Sequence, residues 1–206
     1  MPVDVRETPV DFLACGGHKW LNSPFGCGFL YISREAMPKL RPPLAGYLSL
    51  ETPAGGWGNY FQTPSIAPLR DYNFVPEARR FETGGTANYP GAVGLAASLN
   101  LINTLGKSAI ARRIHELTEH LISGLRMLDM RIVTPLDNKN RSGIITFDLG
   151  SAEKNVALME KLLERKMLVS VRYTSGVGGV RVSSHFYNSA EDLDRLLNAV
   201  EDSLRG

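Results

Sequence analysis

One lysine, Lys19, lies between His18 and Trp20 in the stretch CGGHKWLNSPFGCGFLYIS, which runs from Cys15 to Ser33. Gly16 and Gly17 sit ahead of it and Pro24-Phe25-Gly26-Cys27-Gly28 follows. A lysine in a glycine-bounded loop between strands is expected to be partly desolvated, and burial disfavours the ammonium form. The neutral amine is a nucleophile that condenses with an aldehyde to give a Schiff base. The flanking glycines predict a backbone that a bulky ligand can approach closely. Far along the chain, Gly85-Thr86 stands just ahead of a helix starting near Gly91. Free N–H groups and the positive end of a helix suit a phosphate. Arg181, in GGVRVSSHF, carries a planar fork that matches a carboxylate, and Arg172, in VSVRY, is a second strand arginine. Taken singly, each has an ordinary reading: a surface lysine, a threonine cap, an ion-paired arginine.

The elements that must position these residues follow from pattern. VDFLACGG predicts a short buried strand from Val10 to Cys15, and GCGFLYIS a second with its apolar run from Phe29 to Ile32; HKWLNSPF is the tight loop between them. From Arg34 to Glu82 the chain is irregular, rich in proline and glycine. Tyr47, Trp57, Tyr60, Phe61, Tyr72 and Phe74 give this stretch the composition of a buried interface. GAVGLAASLNLINTLG is apolar most of the way round and predicts a buried helix ending at Gly106. KSAIARRIHELTEHLISGLRML follows as an amphipathic helix whose stripe is Ile110, Ile114, Leu117, Leu121 and Leu125. MRIVTP and SGIITFDL read as strands separated by the polar turn LDNKNR. SAEKNVALMEKLLERKM is a helix with Val156, Met159, Leu162 and Leu163 on one face. LVSVRY and GGVRVSSHF are strands joined by the glycine loop TSGVGG. The last helix starts with Ser189 and Asp192 in a capping box and buries Leu193, Leu196, Leu197 and Val200. Residues 107–206 therefore read α-β-β-α-β-β-α, a small α+β domain. Residues 1–106 hold too few elements to close around their own loops.

Composition narrows the function classes. The chain has 206 residues, 43% of them hydrophobic and 21% charged, with a net charge of +2. That profile belongs to globular proteins and gives no global field for nucleic acid or an anionic membrane. No apolar run is long enough to span a bilayer, and MPVDVRETPV lacks the regions of a secretory signal, so a cytoplasmic setting is expected. Two cysteines, Cys15 and Cys27, make neither a disulfide framework nor a metal set. His115 and His120 do not share a helix face as zinc ligands do, and no metal is expected.

Together the motifs carry a resemblance. GGHKWLNSPFGCGFLY resembles the Schiff-base segment of class V aminotransferases, enzymes of fold type I that use pyridoxal 5'-phosphate (PLP), an aldehyde cofactor held by a lysine. The spacing from Lys19 to Pro24 is similar to the isopenicillin N epimerase-like branch, and the cysteine desulfurase branch has a shorter loop. RRFETGGTANYPGAVGL resembles the family segment whose threonine reaches the cofactor phosphate of the neighbouring subunit, here Thr86 after Gly85. GGVRVSSHFYNSAEDLDRL resembles the motif whose arginine takes the substrate carboxylate, which puts Arg181 in that role; Arg172 matches a second arginine near the substrate.

The resemblance implies an α/β fold of fold type I: the C-terminal part of the large, PLP-binding domain over 1–106, then the complete small α+β domain over 107–206. It implies Lys19 as the catalytic residue, His18, Lys19, Gly85 and Thr86 as cofactor contacts, and Arg181 with Arg172 as substrate contacts. Implied partners are a small amino acid, a second copy in a homodimer, and a chain supplying the missing N-terminal half. The family's pyridine-pairing aspartate normally precedes the lysine by more residues than stand here; Asp4 and Asp11 are candidates by residue type only. Gly16 stands where the family often has a phosphate-binding serine. In isolation the chain is accordingly expected to bind PLP poorly and turn over little. The expected reaction is of aminotransferase or epimerase type. A desulfurase-like or selenocysteine lyase-like enzyme ranks below, because RYTSGVGGVR lacks the cysteine that branch carries there. A non-catalytic fragment that dimerises or docks on a partner is the reading from another class.

Overall fold

The computed structural model describes residues 2–47, 49–62, 64, 73–82 and 85–205. Two compact units divide the chain, Asp4–Leu101 and Met1–Val3 with Ile102–Gly206.

In the unit Asp4–Leu101, β1 (Phe12–Gly16) and β2 (Gly28–Ile32) form an antiparallel ribbon, with Phe12 opposite Ile32 and Gly16 opposite Gly28. Alternation sends apolar side chains to both faces, as in a strand meant for the middle of a layered fold. The unit covers neither face fully: Phe12 and Leu30, on one side, are 51% and 49% exposed, and Phe29, on the other, is 45% exposed. Much of the irregular stretch is tied down by short turns. Arg80 donates to the carbonyls of Met37 and Leu40, joining the single-turn helices Met37–Lys39 and Ala78–Phe81. A short helix that patterning did not predict, α1 (Gly56–Gln62), gathers the aromatics: Trp57 stacks on Phe61 with centroids 5.9 Å apart and meets Tyr60 and Tyr47 edge-on. Phe74 bridges Leu50, whereas Tyr72 lies outside the described residues.

Helix α2 (Tyr89–Leu105) departs from expectation. Predicted as a buried helix, it buries only Gly91, and Val93 is 71% exposed. Side chains that are apolar all round need packing on several sides, and the unit supplies it on one.

Beyond it, α3 (Lys107–Met127), β3 (Arg131–Ile132), β4 (Ile144–Asp148), α4 (Ala152–Glu164), β5 (Ser170–Thr174), β6 (Val177–Ser183) and α5 (Ala190–Arg205) follow in the expected order. The sheet order is β3-β4-β6-β5, antiparallel throughout. Ile145, Phe147, Val180 and Val182 point from one face into a core with Leu117, Leu121 and Leu125 of α3, Leu158 and Leu162 of α4, and Leu193 to Val200 of α5. The face expected for α4 is corrected: Asn155, Leu158 and Leu162 are buried, while Val156 and Leu163 are exposed. Asn155 accepts from Leu149 N at 3.0 Å and donates to Asp148 and to Tyr173 Oη, both at 2.7 Å, so a polar residue occupies the core side of the helix. The capping box of α5 forms as read: Ser189 N donates to Asp192 Oδ2 at 3.1 Å and Asp192 N to Ser189 Oγ at 3.2 Å. Among the described residues, no helix is long and apolar enough to cross a membrane.

Candidate active site

The Lys19 loop closes on itself. Gly17 N donates to Cys27 O at 2.8 Å, and Ser23 N to Gly17 O at 3.0 Å. Gly17 is buried, and a Cβ there would overlap Ser23 Oγ and crowd Cys27 O. The glycine thus serves the closure of the loop, where close approach of a ligand was expected. Lys19 is exposed, a second departure, because the surrounding ribbon lacks the layer that would desolvate it. His18 stacks on Phe25 across the loop, with centroids 5.2 Å apart and planes 27° apart.

The same loop is held against α2. Asn88 Nδ2 donates to Phe25 O at 3.2 Å, and Ser98 Oγ donates to Leu21 O. Gly94 passes so close to Pro24 that a Cβ would lie 2.6 Å from the ring carbons. Gly85, with φ of +131°, and exposed Thr86 lead into this helix start; Thr83 and Gly84 lie outside the described residues. Asn88, Ser98, Phe25 and Ser23 were not picked out from sequence. The string Asn88-Tyr89-Pro90, a capping residue followed by a proline in the first turn, is the one signal that marks Asn88.

The arginines stand in the other unit. Arg181 on β6 pairs with Thr146 on β4 and with Ser170 on β5, and Arg172 pairs with Gly179. Cross-strand partners share a face, so Arg172 and Arg181 are diagonal neighbours on the face opposite the core, with Thr146, Ser170 and Ser183. Arg181 Nε is buried and has no hydrogen-bond partner among the described residues. Arg172 is exposed and donates to its neighbour's carbonyl, Val171 O, at 2.8 Å. The expected glycine loop between β5 and β6 is a two-residue turn, Ser175-Gly176, with φ of +49° and +78°. Positive φ at both central positions is the hairpin geometry that matches strand twist.

An open cleft of about 830 Å³ lies elsewhere in the first unit, lined by Arg6, Tyr31, Arg34, Glu35 and Glu77 among others; it includes neither Lys19 nor Thr86.

The chain is of mixed α/β architecture, with the lysine loop packed on a helix start in one unit and the arginines on a small antiparallel sheet in the other. The family profile described as aminotransferase class-V matches residues 1–196, and the chain belongs to that family. It is 30% identical over 211 residues to isopenicillin N epimerase of Streptomyces clavuligerus, covering all of this chain and 50% of that protein. The apo structure of cysteine desulfurase from Thermococcus onnurineus superposes with a TM-score of 0.82 at 29% identity, covering 100% of this chain and 50% of that one. A C-DES variant with glycine covalently linked to its PLP cofactor matches with a TM-score of 0.79 at 26% identity, covering 98% and 48%. Cysteine desulfurases recur among the relatives, and the chain spans about half the length of the curated relatives it matches.

Proposed function

We propose that this chain is the lysine-bearing half of a PLP-dependent enzyme acting on an amino acid, of aminotransferase or epimerase type. The observation that carries the reading is the joining of two distant motifs: the Lys19 loop and the helix start behind Gly85-Thr86 touch through Asn88, Gly94 and Ser98. The residues fit the cofactor at two points. Lys19 offers an open amine to the cofactor of its own site, and the Thr86 hydroxyl, ahead of a helix N-terminus where an anion is favoured, is offered to the cofactor phosphate of a neighbouring copy. Bound PLP supplies an electron-accepting ring that makes the α-hydrogen of an amino acid acidic. Lys19 Nζ is then the base that takes that proton and, once protonated, the acid that returns it. His18, fixed by its stack on Phe25, contributes a ring at the same loop, against the phosphate or the cofactor ring. Arg181 receives the substrate carboxylate: its buried Nε is a donor left over by the protein itself. Arg172 assists from the neighbouring strand.

A desulfurase reading needs a cysteine nucleophile. The tight β5–β6 hairpin has none; the free Cys15 lies on β1 and the free Cys27 at the end of the Lys19 loop, just ahead of β2. This favours the aminotransferase or epimerase type.

Two partners complete the reading. The exposed apolar faces of β1–β2 and α2 are the docking surface for the part of the fold that the chain does not span, because among the described residues both ribbon edges are unpaired and the matched relatives are about twice as long. The aromatic cluster of Tyr47, Trp57 and Phe61 is the surface for a second copy, with Tyr47 and Phe61 exposed. The protein works in the cytoplasm. Borohydride reduction of the PLP-treated protein, followed by peptide mapping, tests the reading. Label concentrated on Lys19 and absent there in Lys19→Ala supports it; label spread evenly over exposed lysines contradicts it.

A further inference from the structure

Asn88 uses both ends of its amide. Its Oδ1 accepts from Gly91 N at 3.0 Å, the N-cap bond of α2, while its Nδ2 donates to Phe25 O at 3.2 Å across the Lys19 loop. Capping alone needs only an oxygen, so aspartate or serine would do it equally well. The second bond needs a donor, which among the good capping amide and carboxylate residues asparagine has and aspartate lacks. The carbonyl it holds belongs to Phe25, whose ring stacks on His18, the residue before Lys19. Two more contacts run down the same helix face: Gly94 against Pro24, and Ser98 Oγ to Leu21 O. Asn88, Gly94 and Ser98, with the capped Gly91 between them, fall at spacings of three and four, so the cap and one stripe of α2 face the loop, three of the four touching it.

We propose that Asn88 is a positioning residue for Lys19, its Nδ2–Phe25 bond and the Gly94–Pro24 contact forming a latch that fixes the His18–Gly26 loop on the first turns of α2. The inference rests on Lys19 as the cofactor lysine, yet the latch is measurable without cofactor. The latch holds the loop at Leu21, Pro24 and Phe25 on one side of Lys19, and the bonds from Gly17 to Cys27 and from Ser23 to Gly17 hold it on the other.

The test is amide hydrogen exchange on the full chain, comparing wild type with Asn88→Ser and Gly94→Ala. Serine keeps the cap and loses the latch; alanine at 94 leaves the cap alone and wedges Pro24 away. In both variants, exchange in residues 19–26 is expected to rise by about two- to tenfold, the worth of one net hydrogen bond, with Gly91 and the first turn of α2 unchanged. Borohydride-trapped PLP on Lys19 should slow in step, while labelling of a distant lysine such as Lys161 stays constant. Unchanged loop exchange in Asn88→Ser overturns the latch, as does loosening that spreads equally into the start of α2, which would make Asn88 a cap and nothing more. Failure of wild type to take PLP at Lys19 even when mixed with a polypeptide spanning the remaining half of a relative overturns the functional reading instead, and leaves the exchange result to decide the latch.

Discussion

At the scale of single residues, what patterning reads is residue type and sequence motif, and what it misses is environment. Lys19, Thr86 and Arg181 stand out in the sequence only through the motifs around them, and their roles are proposals. The exposure of Lys19 was not legible, because desolvation depends on layers that lie far away in the chain. Asn88 was missed for a similar reason: its partner Phe25 is remote in sequence, and a single amide carries no periodic signal. The guanidinium of Arg181 yields a prediction at this scale. Arg181→Lys keeps the charge and loses the fork, so amino-acid binding to the PLP-loaded protein should weaken roughly ten- to hundredfold, as loss of a charge-assisted hydrogen bond implies. A spectrophotometric titration reads this. Equal affinity in wild type and variant would remove Arg181 from the carboxylate role.

At the scale of elements, the pattern succeeds where one face is wet. The stripes of α3 and α5 and the succession of elements around the small sheet follow from alternation and period. The pattern fails on α4, where Asn155 occupies the buried face and its three hydrogen bonds satisfy it there. Asn155→Ala should cost about 1–3 kcal/mol in urea unfolding, since Leu149 N–H loses its acceptor inside the protein. The box at the start of α5 gives a second test: Ser189→Ala removes the acceptor of Asp192 N and should cost about 1 kcal/mol by the same measurement. Its pH dependence has a defined sign. The hydrogen bond from Ser189 N, and after it the one from Asn188, hold the Asp192 carboxyl below its ordinary value of 3.8. A depressed folded-state pKa means that the stabilisation is complete above 3.8 and is lost as the pH falls below it through the lower folded value. Asp192→Asn should therefore flatten the acid limb of stability against pH; an unaltered acid limb would show that the box adds nothing in solution.

At the scale of the whole molecule, the fold class was legible and the extent of burial was not. Periodicity shows that α2 is apolar all round but not what lies against it. In the structure, α2 and both faces of the β1–β2 ribbon remain largely uncovered. Exposed apolar surface of this kind marks an interaction site, and the docking of a further part of the fold there is the proposal made above. On the proposed reading, covering that surface excludes water from the lysine loop and disfavours the ammonium form of Lys19. Leu30→Asp, on the uncovered ribbon, should leave the chain's own stability nearly unchanged while abolishing association with the complementary half; a gel-filtration shift that survives the substitution would place the docking surface elsewhere.

The most direct measurement of the account is PLP affinity, taken for the chain alone and for the chain mixed with a polypeptide spanning the remaining half of a relative, each with and without Lys19→Ala. The account predicts weak uptake by the chain alone, tight stoichiometric uptake by the mixture, and loss of that uptake in Lys19→Ala. Tight binding by the chain alone, or uptake by the mixture that is indifferent to Lys19, would contradict it.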